Sequence, residues 1–250
     1  MRLTSPALRS LLWLGFFAAI LAAWWVMYAM ARMSGVDIFG RMTGMNMMPM
    51  VRFGTLFPMW AIMMAAMMLP TMVPTLRAYE DLMVSANGTR AGWLGVVLGY
   101  FAVWVVFALL IAFVQVALMR AGVLNIMGAA TSTAVAGLLL IVVGAFQFTR
   151  LKEMCHGVCH APAVYFLRHW RLGFGGGLRM GLGLGVFCVG CCWGFMVLGF
   201  VGGVMSLLWM GLATLFMVLE KLPDVGRRVM RPGGVVLMLG GAVVTARAMI

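Results

Sequence analysis

Long uncharged, apolar stretches alternate along this chain with short segments that carry most of its arginines and lysines. A helix needs about 20 apolar residues to cross a hydrocarbon core of about 30 Å, and most of these stretches have that length. The run 180–219 is about twice as long, and glycines near 199–203 allow the backbone to reverse there. The pattern predicts one all-α membrane domain over residues 1–250, a polytopic bundle of about seven transmembrane helices. The predicted spans lie near 10–31, 54–76, 92–119, 122–149, 180–199, 203–220 and 232–248.

Composition and charge agree with a membrane protein. Hydrophobic residues make up 64% of the chain and charged residues only 10%, whereas soluble domains have roughly 45–50% and about 25%. Of the 18 lysines and arginines, 13 fall on the side of the N-terminus and 5 on the other side. Because cytoplasmic loops carry the positive excess, we predict a multi-pass protein of the bacterial cytoplasmic (inner) membrane with a cytoplasmic N-terminus. Basic loops beside anionic lipid account for the net charge of +12, so no nucleic-acid partner is expected.

The segment FCVGCCWGFM, residues 187–196, places three thiols in a predicted membrane helix. Cys188, Cys191 and Cys192 are spaced i, i+3 and i+4, so they share one helical face, and Met196 lies one turn further. Cysteine is also a common buried residue and glycine permits tight helix packing, so packing alone is an alternative. Three thiols at this spacing favour a site for a soft metal ion.

Two methionine-rich segments add thioether sulfur. One is a stripe at i, i+4 spacing on the second span, and the other is a segment predicted to lie outside the membrane. Methionine often fills gaps in a core, so each segment alone has an ordinary explanation. Together with the thiols they predict further soft ligands. These candidate ligands are Met59, Met63 and Met67 in the span, and Met45, Met47 and Met48 in the outer segment.

The segment LKEMCHGVCHAP, residues 151–162, is predicted on the cytoplasmic side. Its C-x3-C-H spacing differs from the C-x2-C-H spacing of haem attachment. On a helix, Cys155 and Cys159 would share one face, with His156 and His160 turned by about 100°. Two thiolates with imidazoles suit Zn(II), and thiolates alone suit Cu(I), so we predict metal binding here as well.

Four motifs over roughly residues 55–225 resemble a bacterial family of uncharacterised integral membrane proteins that are predicted to bind metal. The C-C-W block is the most specific of them, and both histidines of the 151–162 segment stand where that family has other polar or basic residues. The resemblance implies a helical membrane fold and a metal, and it leaves transport, assembly and enzymology open. The motifs are K-x2-C-x3-C-x2-P (Lys152, Cys155, Cys159, Pro162), C-x-G-C-C-W-x2-M (Cys188 to Met196), M-W-x2-M-x2-A-M-M-x-P (Met59 to Pro70) and E-K-x-P (Glu220, Lys221, Pro223).

The types of potential ligand in the chain narrow the choice of metal. The chain has 5 cysteines and 27 methionines against 6 acidic residues, so Cu(I) is the first choice of cargo and zinc the second. We interpret Glu220 as an interfacial carboxylate beside Lys221. No nucleotide-binding or hydrolase motif is present, so no catalytic residue is predicted.

The first hypothesis is a membrane protein that transfers, stores or delivers Cu(I) to a cuproenzyme or metallochaperone, between the outer methionines and the cytoplasmic Cys/His segment. The alternatives are a membrane thiol–disulfide oxidoreductase that uses Cys188 and Cys191, and a structural subunit of a membrane metalloenzyme complex. A homo-oligomer is compatible with each.

Overall fold

The computed structural model describes residues 6–41, 43, 52–222 and 225–247, and their regular structure is helical apart from isolated β-bridge residues, among them the pair Leu124 and Ala130. A 3-10 turn, Pro70–Met72, joins the second helix to the third. The helices are α1 Pro6–Met33, α2 Phe53–Met68, α3 Val73–Ser85, α4 Arg90–Arg120, α5 Thr133–Phe146, α6 Arg150–His160, α7 Pro162–His169, α8 Gly173–Val197, α9 Gly199–Gly202, α10 Leu207–Lys221 and α11 Gly226–Arg247.

The all-helical class is confirmed, and several helices have the length and composition of membrane spans. Within the described residues, five segments meet that standard, and α5 with α6 makes a sixth that is bent by 65°. Helix α10 has 15 residues, or about 22 Å, which is shorter than a hydrocarbon core of about 30 Å. The five segments are Pro6–Met33, Phe53–Ser85, Arg90–Arg120, Gly173–Gly202 and Arg228–Arg247.

Two helices are shorter than the sequence pattern predicts. The helix inside the predicted span 122–149 begins at Thr133, because Gly122 and Gly128 take positive φ values of 73° and 69° in the loop before it. The carboxamide oxygen of Asn125 accepts hydrogen bonds from two backbone N–H groups of the same loop. Gly203, at φ 86°, likewise delays the next helix, which begins at Leu207. The apolar stretches that predict these two helices therefore include loop residues as well as helical ones.

The loops divide between two ends of the bundle. At one end, the loop after α1 meets α10, where Leu208 N donates to Ile38 O at 3.0 Å. At the same end, the loop after α4 meets α9 through Ala130 N and Phe200 O at 2.8 Å. At the other end, the indole N–H of Trp170 donates to Ala86 O at 2.8 Å. Loops that the distribution of lysine and arginine assigns to the same side of the membrane therefore lie at the same end of the bundle.

Helix α8 is held against α4 by glycines on both helices. A Cβ atom at Gly99 would overlap the carbonyl of Leu178, and one at Gly181 would overlap the carbonyl of Val96. Small residues allow membrane helices to approach this closely. Helix α6 also packs on α8. The position of α8 in the bundle is therefore fixed by backbone contact, and its cysteine face with it.

Candidate metal centre

The three cysteines of α8 are buried on one face of the helix. The exposed fractions of Cys188, Cys191 and Cys192 are 0%, 2% and 1%. Cys192 Sγ lies 3.9 Å from Cys188 Sγ and 3.3 Å from Cys191 Sγ. The i, i+3, i+4 spacing thus brings three thiols together on a single helix.

A fourth thiol joins them from α6. Cys159 Sγ lies 3.8 Å from Cys191 Sγ, and the sulfurs of Cys159, Cys188 and Cys191 all lie within 4.8 Å of one another. Among the described residues, these three cysteines form a group in which at least three potential ligand atoms of Cys, His, Asp or Glu lie this close to one another. Ligands bound at about 2.3 Å around one ion stand roughly 3.8–4.0 Å apart. The spacing of these sulfurs therefore suits a single soft metal ion.

Cys155 packs beside this group without being part of it. It lies one helical turn before Cys159 on α6 and is buried. A Cβ atom at Gly190 would lie 2.7 Å from Cys155 Sγ, so the thiol occupies the space that this glycine leaves on α8. Cys155 thus serves the contact between α6 and α8.

The ammonium group of Lys221 lies against the thiols. Its Nζ is 3.2 Å from Cys188 Sγ and 2.7 Å from Thr71 Oγ1, and the side chain is buried. Tyr100 OH lies 3.0 Å from the same sulfur. A buried cation needs a negative charge nearby, and thiolates can supply it. Lys221 is therefore placed to balance the charge of ionised cysteines.

A second buried lysine lies behind the cluster. Lys152 Nζ is 2.9 Å from Glu220 Oε2 and 2.8 Å from the carbonyl oxygen of Cys191. The side chains of Lys152 and Glu220 are 0% and 2% exposed. The interpretation of Glu220 as an interfacial carboxylate was wrong, because α10 ends inside the bundle and not at its surface. Lys152 and Glu220 were not assigned to the metal site in the sequence analysis. One signal in the sequence could have found them, because ionisable residues within apolar membrane helices are generally functional.

The two histidines of α6 are turned away from the thiol group. His156 Nε2 lies 2.7 Å from Glu220 O, and its ring stacks on that of His160 with centroids 5.3 Å apart. Successive residues of a helix point about 100° apart, so the thiols reach α8 while the imidazoles line a separate cavity. The four side chains of the predicted Cys/His segment therefore do not converge on one point.

The predicted thioether ligands are only in part described. Met59, Met63 and Met67 are buried on α2, and Met196 is buried on α8. Helix α2 packs mainly against α1 and α4, and the group that joins the thiol network from this region is the hydroxyl of Thr71. Thioether coordination stays a prediction. Met45, Met47 and Met48 lie outside the described residues.

In this all-helical chain with long apolar helices, the buried group of thiols forms a site that could hold a soft metal ion. A family model described as PpoB2, copper chaperone, matches residues 57–244, which include every helix that contributes to the site. The chain belongs to the PpoB2 copper chaperone family. This membership supports the predicted metal-binding family and copper as the metal. Searches of curated proteins and of solved structures each found no significant match.

Proposed function

We propose that this chain is a membrane protein that holds Cu(I) in a buried thiolate group and delivers it to a cuproenzyme or a metallochaperone. The observation that carries the proposal is the convergence of Cys159 from α6 with Cys188 and Cys191 from α8. Membership of a copper chaperone family supports copper as the cargo.

The ammonium group of Lys221 lies in contact with Cys188, so it offsets part of the negative charge that the ionised thiols carry. The ion pair of Lys152 and Glu220 adds no net charge. Thiolate sulfur selects Cu(I) and also accepts zinc, so zinc is the second candidate.

Metal analysis of the reduced, detergent-purified protein tests this function. We expect about one copper ion per chain, with X-ray absorption showing sulfur neighbours at about 2.3 Å. Copper binding should release protons, because the bound thiols must be ionised. Unchanged copper content after Cys159, Cys188 and Cys191 are all replaced by serine would contradict the proposal, and so would zinc in place of copper.

Replacing Lys221 with methionine should lower the affinity for Cu(I) by about 10–100-fold, the usual cost of losing a group that supports the ligands. Methionine removes the charge that balances the thiolates and keeps much of the side-chain volume. Competition with a chromogenic Cu(I) chelator measures the change. Thr71→Val is the control, because it removes one hydrogen bond from the ammonium group and leaves the charge in place, so its loss should be smaller. If the methionine variant bound Cu(I) with the affinity of the wild type, Lys221 would have no role in copper binding.

For the membrane arrangement we propose the bacterial cytoplasmic membrane, a cytoplasmic N-terminus and about seven crossings. The bent pair α5 and α6 and the short helix α10 would complete the five long segments. A cysteine introduced at Thr43 in a background without native cysteines should react with an impermeant reagent on intact cells whose outer membrane is permeabilised. Reaction only after the inner membrane is broken would invert the orientation.

Thiol–disulfide exchange fits the site less well. Exchange requires an accessible thiolate, and the three cysteines of α8 are at most 2% exposed. A mixed disulfide trapped in cells by Cys191→Ser would restore this alternative. Purification with fixed protein partners and without metal would instead favour a structural subunit.

A further inference from the structure

Cys192 is a buried thiol to which the proposed copper site gives no role. Its side chain is 1% exposed, and it is not part of the close group formed by Cys159, Cys188 and Cys191. Its sulfur nevertheless lies 3.9 Å from that of Cys188 and 3.3 Å from that of Cys191. Cys192 is therefore in contact with two of the three sulfurs that we assign to the copper ion.

The sulfurs of Cys188, Cys191 and Cys192 form a second triangle that can surround one ion. Two of its sides are 3.9 and 3.3 Å, and the third, between Cys188 and Cys191, is no longer than 4.8 Å. A point at equal distance from three atoms placed in this way lies at most about 2.4 Å from each of them. Since bonds from thiolate sulfur to a metal ion are about 2.3 Å long, this triangle also has the dimensions of a three-sulfur site.

The two triangles of sulfurs share the edge between Cys188 and Cys191. Cys159 of α6 completes one triangle, and Cys192 of α8 completes the other. An ion that keeps its bonds to Cys188 and Cys191 can therefore exchange Cys159 for Cys192 by a short displacement. It has three sulfur ligands before and after the exchange. In the second position all of its ligands lie on α8, so no bond to α6 remains.

The exchange leaves the charge of the buried group unchanged. The bond from Cu(I) to Cys159 breaks and a bond to Cys192 forms, while copper stays in the same oxidation state. The proton that leaves the Cys192 thiol is matched by one that the released Cys159 thiolate takes up. Lys221 contacts Cys188, which binds the ion in both positions, so the ammonium group stays beside the ion throughout. No additional charge has to be buried, which would be costly in this apolar surrounding.

We propose that Cys192 is an exchange ligand, which replaces Cys159 on the copper ion when the ion enters or leaves the site. This inference rests on the proposed function and assigns a step of copper delivery to this thiol. Ligands around one ion stand roughly 3.8–4.0 Å apart, and the sulfurs of Cys191 and Cys192 are closer than that, so the second position binds the ion less tightly. An acceptor with its own thiolates therefore withdraws the ion more readily from the second position.

Cys192→Ser tests the exchange in the full-length, reduced protein. Copper content and affinity for Cu(I) should be those of the wild type, whereas the rate of copper transfer to an excess of a chromogenic Cu(I) chelator should fall at least tenfold. Cys155→Ser is the matched control, because Cys155 is another buried cysteine outside the close group and its thiol packs at Gly190. This control should transfer copper at the wild-type rate. Equal transfer rates in the wild type and Cys192→Ser would overturn the inference.

A double variant tests the exchange at equilibrium. Once Cys159 is replaced by serine, three thiols can hold copper only in the second position. Cys192→Ser in that background should therefore lower the affinity for Cu(I) at least tenfold further, although it has little effect in the wild type. Two substitutions that act on one site are not additive, and this coupling measures the replacement of one ligand by the other. An equally small effect of Cys192→Ser in both backgrounds would overturn the inference.

The amount of bound copper separates the remaining outcomes. Two copper ions per chain in the wild type and one in Cys192→Ser would assign Cys192 to a second ion, and would overturn the exchange. A copper loss in Cys192→Ser as large as that in Cys159→Ser would make Cys192 a permanent ligand, with the same consequence. A wild-type protein that binds no copper would overturn the proposed function itself, so the two failures are distinguishable.

Discussion

Replacing Cys159 with serine is expected to lower the affinity for Cu(I) by more than about 100-fold, beyond the usual cost of changing a supporting group. Cys159 is the ligand that α6 contributes, and its sulfur lies 3.8 Å from that of Cys191. A serine hydroxyl is a hard oxygen donor and replaces the soft sulfur poorly. Without Cys159, an ion would be held only by thiols of one helix. Competition with a Cu(I) chelator measures the affinity.

Cys155→Ser is the matched control for this substitution. The two cysteines lie one turn apart on α6, and both are buried, but only Cys159 belongs to the close group of sulfurs. The Cys155 variant should therefore retain copper and show at most a moderate loss of stability, since its thiol fills the space at Gly190. Equal copper loss in both variants would mean that the ion is bound by the Cys155 thiol too.

Replacing Lys152 with methionine is expected to lower the free energy of unfolding by about 3–5 kcal/mol, the usual cost of removing one partner of a buried ion pair. Lys152 and Glu220 are almost completely buried, and their charged atoms are 2.9 Å apart. Without the lysine, a carboxylate is left unpaired away from water, or it must take up a proton. Denaturant or thermal unfolding in detergent micelles measures the difference.

A double variant separates the cost of an unpaired charge from the loss of packing. Lys152→Met combined with Glu220→Gln removes both charges and should recover most of the lost stability, because buried ion pairs can often be replaced by neutral side chains. The comparison at the surface is Glu153→Gln, which breaks an exposed ion pair with Arg231 and should change stability by less than about 1 kcal/mol. A double variant no more stable than Lys152→Met would assign the loss to packing.

The double variant also asks what the ion pair is for. Lys152 donates a second hydrogen bond to the carbonyl of Cys191, next to the thiol group. If the pair only stabilises the fold, the double variant should bind copper as the wild type does. If the pair also holds Cys191 in place, copper affinity should fall even where stability is restored. The two measurements on one protein therefore distinguish support of the fold from support of the site.

The sequence by itself determined the helical class and the face of α8 that carries its cysteines. Both follow from local periodicity, because residues spaced i, i+3 and i+4 share a helix face in any tertiary structure. Composition also determined the preference for a soft metal, since sulfur is abundant and carboxylates are few. The sequence predicted the lengths of α5 and α10 less accurately, because turns at glycine residues interrupt stretches that are uniformly apolar.

Only the tertiary structure decided which helix faces meet. Cys159 and Cys191 are 32 positions apart in the chain, and Lys152 and Glu220 are 68 apart, so no local pattern relates them. Close packing of α6 on α8 places one cysteine of α6 with the thiols of α8. The same packing turns His156 and His160 towards the cavity beside α11. Periodicity fixes the direction of a side chain relative to its own helix, whereas its partners depend on contacts between distant helices.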